Sequence, residues 1–214
     1  MRALLAQKLE MTHIFDEAGN FVPVTILLAT PSVVTQVKNT ETDGYEAIQI
    51  GFGEKKNHKK PQVGHLSKAN IMAKKLVEIA PEEGKTYKIG DKIELDIFNE
   101  GEKIILQGVS KGKGFAGTIK RHNFHRGPKT HGSHNYRAPG SIGAGYPQHV
   151  FKGQKLPGRM GAVMTTVKNN KIARILPEEN LILIRGAVPG PKKSMVLVYS
   201  LSDKRKETNE KEEN

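Results

Sequence analysis

Alternation of hydrophobic and polar residues is the dominant pattern outside one central segment of this chain. In residues 45–52, Ile48 and Ile50 fall on one face of an extended chain and Gln49 falls on the other. Several other runs are rich in β-branched residues, which favour strands. The predicted strands span residues 21–30, 33–37, 45–52, 93–97, 103–109, 162–167, 171–176, 180–188 and 194–201. We therefore predict a mainly β protein.

Turn-forming residues separate these strands at intervals of roughly 8–12 residues, a spacing typical of a small barrel or sandwich. Thr-Pro-Ser at 30–32, Asn-Asn at 169–170 and Pro-Gly-Pro at 189–191 are three such breaks. Asn-Glu-Gly at 99–101 predicts a hairpin between the fourth and fifth predicted strands.

One short helix is predicted at residues 67–75, where the Ser67 hydroxyl could cap its first turn. The preceding run, Lys-Lys-Asn-His-Lys-Lys at 55–60, is a basic cluster. A solvated loop and an RNA contact are both open interpretations of that cluster.

Charge is distributed very unevenly along the sequence. Residues 103–177 contain no Asp or Glu but hold 14 of the 34 Lys and Arg residues, whereas all 22 acidic residues lie elsewhere. Mutual repulsion among so many unpaired cations opposes a compact state unless a polyanion neutralises them. This acid-free segment is therefore predicted to lie against nucleic acid.

The middle of the acid-free segment, residues 110–161, is predicted to be an insertion into a β domain, because strands flank it on both sides. Eleven of the 22 glycines lie there and hydrophobic residues are sparse. So few apolar side chains cannot offset the conformational entropy lost on ordering the segment. We expect a partner to order it, and the alternative is that it is not ordered at all. The β domain would then comprise residues 1–109 and 162–201, and residues 202–214 would be a disordered charged tail.

The chain has no cysteine, which excludes disulfides and cysteine-ligated zinc and fits a reducing compartment. The sequence shows no secretory signal and no apolar run long enough to cross a membrane. We expect a soluble intracellular protein that has no membrane partner and no small-molecule substrate.

Two motifs within the insertion suggest cofactor or metal binding. Gly112 to Gly117 matches G-x-G-x-x-G, but no apolar helix and no acidic residue about 20 positions on follow it. The histidine pairs 122/125 and 131/134 lack Cys, Asp or Glu neighbours, and the surrounding cations oppose a divalent ion. We predict no cofactor, no metal and no catalytic residue.

Aromatic residues are interleaved with the positive charge. Phe115 and Phe151 are expected to pack the root of the insertion onto the barrel, and Tyr136 and Tyr146 to stack on unpaired bases. RNA is favoured over DNA, because the sequence predicts no recognition helix that carries the charge. The candidate RNA-binding residues are Lys111, Lys113, Lys120, Arg121, His122, His125, Arg126, Lys129, His131, His134, Tyr136, Arg137, Tyr146, Gln148, His149, Lys152, Lys155 and Arg159.

These motifs resemble a known family. Within the insertion they are Ser-Lys-Gly-Lys-Gly-Phe-Ala-Gly-Thr-Ile-Lys-Arg at 110–121, Thr-His-Gly-Ser at 130–133, Pro-Gly-Ser-Ile-Gly at 139–143, Val-Phe-Lys-Gly at 150–153 and Pro-Gly-Arg-Met-Gly at 157–161. Outside it they are Met-Thr-His-Ile-Phe at 11–15, Thr-Gln-Val-Lys at 35–38, Gly-Tyr-Glu-Ala-Ile-Gln at 44–49 and Arg-Gly-Ala-Val-Pro-Gly at 185–190. Their content and order are similar to the bacterial form of the universal large-subunit ribosomal protein L-three family.

The resemblance implies a β-barrel like that of translation elongation factors, on the exterior of the large ribosomal subunit. It also implies a long extension that reaches through large-subunit rRNA toward the peptidyl transferase centre. Residues 140–151 would form its tip, and residues 111–121 and 152–159 its two phosphate-lined limbs. Members of the family bind early, near the 3′ end of that rRNA, and help to nucleate subunit assembly.

The chain departs from the family pattern in two places. Some members carry a modified glutamine near the tip, but Gln148 is out of register with it, so its modification is not predicted. Ala6 and Glu10 replace glycines expected in the first strand.

We expect a non-enzymatic structural protein of the cytoplasmic ribosome, with large-subunit rRNA and neighbouring ribosomal proteins as its partners. An RNA-processing or modifying enzyme, or an assembly factor outside the mature ribosome, is the alternative.

Overall fold

The structure is a computed structural model that describes residues 2–82 and 84–200. These residues form two compact units, one comprising residues 2–109 with 164–200 and the other residues 110–163. The strands are β1 Ala3–Phe15, β2 Phe21–Leu28, β3 Ser32–Lys38, β4 Ala47–Glu54, β5 Ala73–Ile79, β6 Lys92–Ile93, β7 Lys103–Val109, β8 Phe115–Ala116, β9 Gly158–Arg159, β10 Met164–Leu176, β11 Leu181–Arg185 and β12 Met195–Ser200. The helices are α1 Thr40–Asp43, α2 Lys60–Leu66 and α3 Thr118–His122, with 3₁₀ turns at Ser67–Ala69 and Leu95–Ile97.

Six strands close into an antiparallel barrel in the order β1-β12-β7-β10-β11-β2, and β2 pairs back with β1. Alternate residues face inward, so Ile104 and Leu106 of β7 are buried while Lys103 is exposed. Ile182 of β11 and Val198 of β12 join the same core. Each such side chain stabilises the fold by about 1.5–3 kcal/mol when fully buried. The predicted mainly β class and barrel are confirmed.

A second antiparallel sheet in the same unit has the strand order β5-β4-β3-β6. Gly51 lies in the middle of β4, where an added Cβ would be only 2.8 Å from the Cβ of Ala73 in β5. The helix α2 is held to this sheet by a side-chain contact. Gln49 Oε1 of β4 accepts hydrogen bonds from His65 Nε2 of α2 at 2.7 Å and from Thr35 Oγ1 of β3 at 2.9 Å.

The predicted helix at residues 67–75 is wrong. The helix α2 ends where that helix was expected to begin, and Ser67 closes its C-terminus by donating its hydroxyl to the Gly64 carbonyl at 2.8 Å. Residues 73–75 belong instead to strand β5, paired with β4. Consecutive lysines at 74 and 75 conceal the alternation that marks a strand. The expectation of a single helix is also wrong, since the described residues contain three.

The predicted hairpin around residues 99–101 is wrong as well. Strand β6 is two residues long and pairs with β3, whereas β7 pairs with β10 and β12 inside the barrel. The two predicted partners therefore belong to different sheets. The turn at 99–101 is real, and Gly101 has a φ of 76° in it, but it connects the sheets rather than adjacent strands.

Two further predictions need adjustment. The Asn-Asn pair at 169–170 does not separate two strands, because β10 runs through it as a bulge in which Asn169 has a φ of 63°.

Strand β1 has no counterpart among the strands predicted from the alternation. Its register against β2 shifts between Lys8 and Glu10, so this irregularity forms without a glycine at either position. The tail at 202–214 lies outside the described residues.

Candidate nucleic-acid interface

The extension, defined here as residues 110–163, has almost no hydrophobic core. Within it only Ala116 and Thr118 are buried. Its ten Lys and Arg side chains are all exposed, and the sequence places no carboxylate among these residues to pair with them. The positive charge is therefore presented to the surroundings rather than compensated within the extension.

The root of the extension is an antiparallel ribbon made from its two limbs. Ser110 N donates to the Val163 carbonyl at 2.9 Å, and Lys113 N donates to the Met160 carbonyl at 2.9 Å. Met160 N returns a bond to the Gly114 carbonyl, also at 2.9 Å, and β8 then pairs with β9. Backbone hydrogen bonds thus hold the two limbs side by side at their start.

A glycine permits this close approach. Gly161 has a φ of 74°, a conformation that residues with a Cβ rarely adopt. A Cβ at this position would lie only 2.2 Å from the carbonyl oxygen of Lys111 on the opposite limb. The root geometry therefore requires glycine at position 161.

The helix α3 turns two candidate RNA-binding residues toward the opposite limb. Arg121 Nη1 donates to the Leu156 carbonyl at 2.7 Å, and His122 Nε2 lies 3.1 Å from the same oxygen. Gly158 leaves room for the guanidinium, since an added Cβ would be 2.7 Å from Arg121 Nη1. Arg121 nevertheless remains exposed, and a guanidinium has five N–H donors, so it can brace the limbs and still contact a ligand.

Beyond α3, Tyr136 is the centre of a small cationic cluster. Arg126 Nη1 donates to its hydroxyl at 3.3 Å, and Lys129 Nζ lies 5.6 Å from its ring centroid. The Gly127 amide donates to the Tyr136 carbonyl at 3.1 Å. The ring is half-buried and one face meets an ammonium, so fewer positions remain for a stacked base than on an isolated side chain.

An open cleft of about 480 Å³ lies beside this cluster, a volume within the range of small-ligand sites. Aromatic and cationic side chains share its lining, with His122 and Phe124 rings 6.2 Å apart. The lining residues are His122, Asn123, Phe124, His125, Arg126, Gly127, Asn135, Ala138, Pro139 and Lys155. Four of the predicted RNA-binding residues meet here. Phe124 was not among the candidates, although its position between two histidines was a usable signal.

The tip exposes apolar and aromatic side chains. Tyr146 is 85% exposed and precedes a cis peptide bond to Pro147. The His149 and Phe151 rings make an edge contact with centroids 5.6 Å apart. Phe151 is 58% exposed and Phe115, near the root, is 79% exposed. Both rings are exposed to a partner, and the packing role predicted for these two phenylalanines stays a prediction.

The structure distributes the 18 candidates along both limbs rather than in one site. Sixteen are exposed, and His122 and Tyr136 are partly buried.

No group of three or more His, Cys, Asp or Glu side chains within residues 2–82 and 84–200 is arranged to hold a metal ion. The G-x-G-x-x-G run contains β8, which pairs antiparallel with β9, so it is not the turn of a parallel βαβ unit.

In the described part of the chain, no helix is both long enough and apolar enough to span a membrane.

The closed barrel and the polycationic extension together define the class of this chain, a mainly β protein with a basic extension inserted between two barrel strands. The model of the family described as Ribosomal protein L3 matches residues 54–180. The chain belongs to the ribosomal protein L3 family. This membership confirms the predicted family and the prediction of a structural, non-enzymatic role.

Proteins named "Large ribosomal subunit protein uL3" are similar over nearly the whole chain. The one from Geobacillus stearothermophilus is 50% identical over 202 residues, which cover 93% of this chain and 95% of that protein. The one from Heliobacterium modesticaldum is 49% identical over 202 residues, covering 93% and 96%. The one from Carboxydothermus hydrogenoformans is 48% identical over 200 residues, covering 92% and 96%.

Proposed function

We propose that this protein is a structural constituent of the large subunit of the cytoplasmic ribosome and binds large-subunit rRNA through its extension. The observation that carries the proposal is the set of ten exposed Lys and Arg side chains in a segment that contains no carboxylate. Phosphate neutralises such a segment and releases counterions, which supplies sequence-independent affinity. The name shared by its relatives supports the choice of subunit.

The two limbs would be the main phosphate-binding surface. Their root is already paired through backbone hydrogen bonds, so less conformational entropy is lost on binding there than in an unpaired loop. Lys111, Lys113 and Lys120 lie on the first limb, and Lys152 and Lys155 on the second. A ribbon with charge on both limbs suits a passage between packed RNA helices.

Base contacts would come from the exposed rings. Tyr146 is the strongest candidate for stacking on an unpaired base, because almost its whole surface is accessible. The cleft beside Tyr136 offers the ring of Phe124 together with Arg126 and Lys155. That combination fits one unstacked nucleotide, with the base against the ring and the phosphate against the cations.

The finer placement follows family resemblance. The extension would reach toward the peptidyl transferase centre, and the protein would bind near the 3′ end of the rRNA early in assembly, where it would nucleate folding of the subunit. If rRNA orders the extension, an early role follows, because the protein and the RNA would then fix each other's conformation. Neighbouring ribosomal proteins would be further partners.

Retention on the mature subunit tests the proposal. Purified large subunits from cells that express this chain are washed in high salt and then sedimented. Stoichiometric retention is expected, because an extension threaded through RNA cannot dissociate without disruption of the subunit. Loss of the chain in the wash would instead favour an assembly factor that leaves the mature particle.

A further inference from the structure

The imidazole of His58 lies outside the extension and has no role in the proposed function. Its nitrogens Nδ1 and Nε2 are both buried, and neither has a hydrogen-bond partner in the part of the chain that the structure describes. A buried polar group without a partner costs about 1–3 kcal/mol. A bound group that supplied the missing hydrogen bond would remove that cost.

His58 lines an open pocket of about 400 Å³ whose polar lining is mostly basic. The lining residues are Lys55, His58, Pro61, Gln62, His65, Leu66, Ala73, Lys74, Lys75 and Leu76. Three lysines and two histidines therefore surround the space, and the lining includes no carboxylate. Such a pocket favours an anion.

Three elements fix the walls of this pocket. Lys55 directly follows β4, and its amide donates to the Met72 carbonyl at 3.0 Å, which ties the end of β4 to the start of β5. Lys74 and Lys75 belong to β5. The helix α2 supplies His65, which is held by Gln49 at 2.7 Å. Lys74, Lys75 and His65 thus stand on a paired strand and an anchored helix, whereas Lys55 and His58 lie on the connection between β4 and α2.

The local charge is not neutralised by nearby sequence. Residues 55–77 contain seven lysines and no Asp or Glu. Glu78, the first carboxylate after this run, is paired with Lys38 Nζ at 2.7 Å and accepts the Tyr45 hydroxyl at 2.8 Å. Glu54 precedes the run and does not line the pocket. The run is therefore a second acid-free region, separate from the extension.

We propose that this pocket binds a phosphate group, with Lys55, Lys74 and Lys75 supplying positive charge and the His58 ring turning one of its buried nitrogens toward the bound oxygens to donate a hydrogen bond. A group with several charged oxygens matches this set of donors better than a single carboxylate does. A free phosphate and a backbone phosphate of RNA share this chemistry. Either one would give the barrel-bearing unit an anion contact of its own.

The test follows the imidazole ¹H and ¹³C signals of His58 in the full-length chain, assigned by comparison with His58→Gln. Inorganic phosphate and a short RNA oligonucleotide without terminal phosphates are titrated separately. We expect a saturable shift of the His58 signals with at least one probe. A response to inorganic phosphate identifies a free-phosphate site, and a response to the oligonucleotide alone identifies an RNA backbone site.

Variants with the same change of charge distinguish binding at this pocket from nonspecific electrostatic attraction to the protein. Lys74→Gln with Lys75→Gln is expected to weaken the affinity for the responding probe at least about tenfold, since even one hydrogen bond to a charged group contributes about 1.5–3 kcal/mol. Lys55→Gln provides a second variant should the double change disturb β5. The control pair is Lys88→Gln with Lys103→Gln, two exposed lysines of the same unit outside the pocket. Unmoved His58 signals with both probes, or equal weakening in the control, would overturn the proposal.

Variants of the extension keep this test independent of the proposed function. Lys120→Ala with Arg121→Ala should lower the affinity for rRNA fragments but leave the response of His58 intact. Loss of one effect without the other then shows which proposal has failed.

Discussion

Arg121 Nη1 donates to the main-chain carbonyl of Leu156 at 2.7 Å, across 35 residues of sequence. A side chain expected only to meet phosphate therefore also holds the two limbs of the extension together. The partner is a backbone oxygen and no ion pair is involved, so Arg121 keeps its full charge while it acts as a brace. This double role distinguishes it from its neighbour Lys120, which is exposed and belongs to the same helix.

Arg121→Ala is expected to weaken binding to rRNA fragments more than Lys120→Ala does. Both changes remove one cation, so each should flatten the slope of log K against log salt by about one unit. Arg121→Ala also releases the carbonyl of Leu156 and raises the entropy lost on binding. Filter binding over a salt series measures both quantities. Equal affinities for the two variants would show that Arg121 does not brace the limbs. An unchanged slope in either variant would show that the replaced residue does not contact a phosphate.

Gly161→Ala should disrupt the root of the extension. The new Cβ would meet the Lys111 carbonyl oxygen at 2.2 Å, and the backbone φ of 74° adds strain of about 1–2 kcal/mol. Hydrogen exchange at the amides of Lys113 and Met160 should accelerate, because the ribbon opens there. Gly143→Ala is the matched control, since its Cβ would meet nothing within 4 Å. Unaltered exchange in Gly161→Ala would contradict the root geometry.

Deletion of residues 139–151 should leave the thermal midpoint of the barrel-bearing unit nearly unchanged, because none of these residues is buried. By comparison, Leu106→Ala in the barrel core should cost about 2–5 kcal/mol. Calorimetry on the full chain and the two variants provides the measurement. A drop in midpoint on deletion as large as that of Leu106→Ala would contradict the predicted insertion.

Tyr146→Ala should reduce the affinity for rRNA by about 1–3 kcal/mol if the ring stacks on a base. Tyr146→Phe should retain most of that affinity, because stacking needs the ring and not the hydroxyl. The measurement is a comparison of the binding constants of the two variants and the wild-type chain for rRNA fragments. A loss as large with phenylalanine as with alanine would assign the effect to the hydroxyl instead.

Glu78 should give the barrel-bearing unit a pH-dependent contribution to stability. Hydrogen bonds from Lys38 and then Tyr45 hold the pKa of this carboxyl below its ordinary value of 4.5. A carboxyl whose pKa falls on folding stabilises the protein above its unfolded pKa, and that stabilisation disappears as the pH falls through the folded pKa. Solvent screening keeps the effect small.

The thermal midpoint of the wild-type chain should therefore exceed that of Glu78→Gln at pH 7, and the difference should fade as the pH falls below the ordinary carboxyl pKa of 4.5. Glu46→Gln changes an exposed carboxylate of the same unit and is the control. A difference that persists in acid would show that the effect does not depend on ionisation of Glu78.

The barrel could be predicted because its signal is local. Residues such as Ile104 and Leu106 alternate with more exposed neighbours, and that period of two is visible without knowledge of any partner strand. The strand β5 could not be recognised in this way, because Lys74 and Lys75 are consecutive and both exposed. Residues 73–79 form a strand because their backbone pairs with β4, and no pattern within these residues predicts that pairing.

The exposed cationic character of the extension was already implicit in the order of the residues, since a segment without Asp or Glu cannot neutralise its own Lys and Arg. The order of the residues did not show which strands pair or which side chains meet. Strand β6 pairs with β3 and not with its neighbour β7, and Arg121 finds a carbonyl 35 residues away. Charge and alternation are properties of single residues and short runs, whereas pairing depends on which distant segments meet when the chain folds.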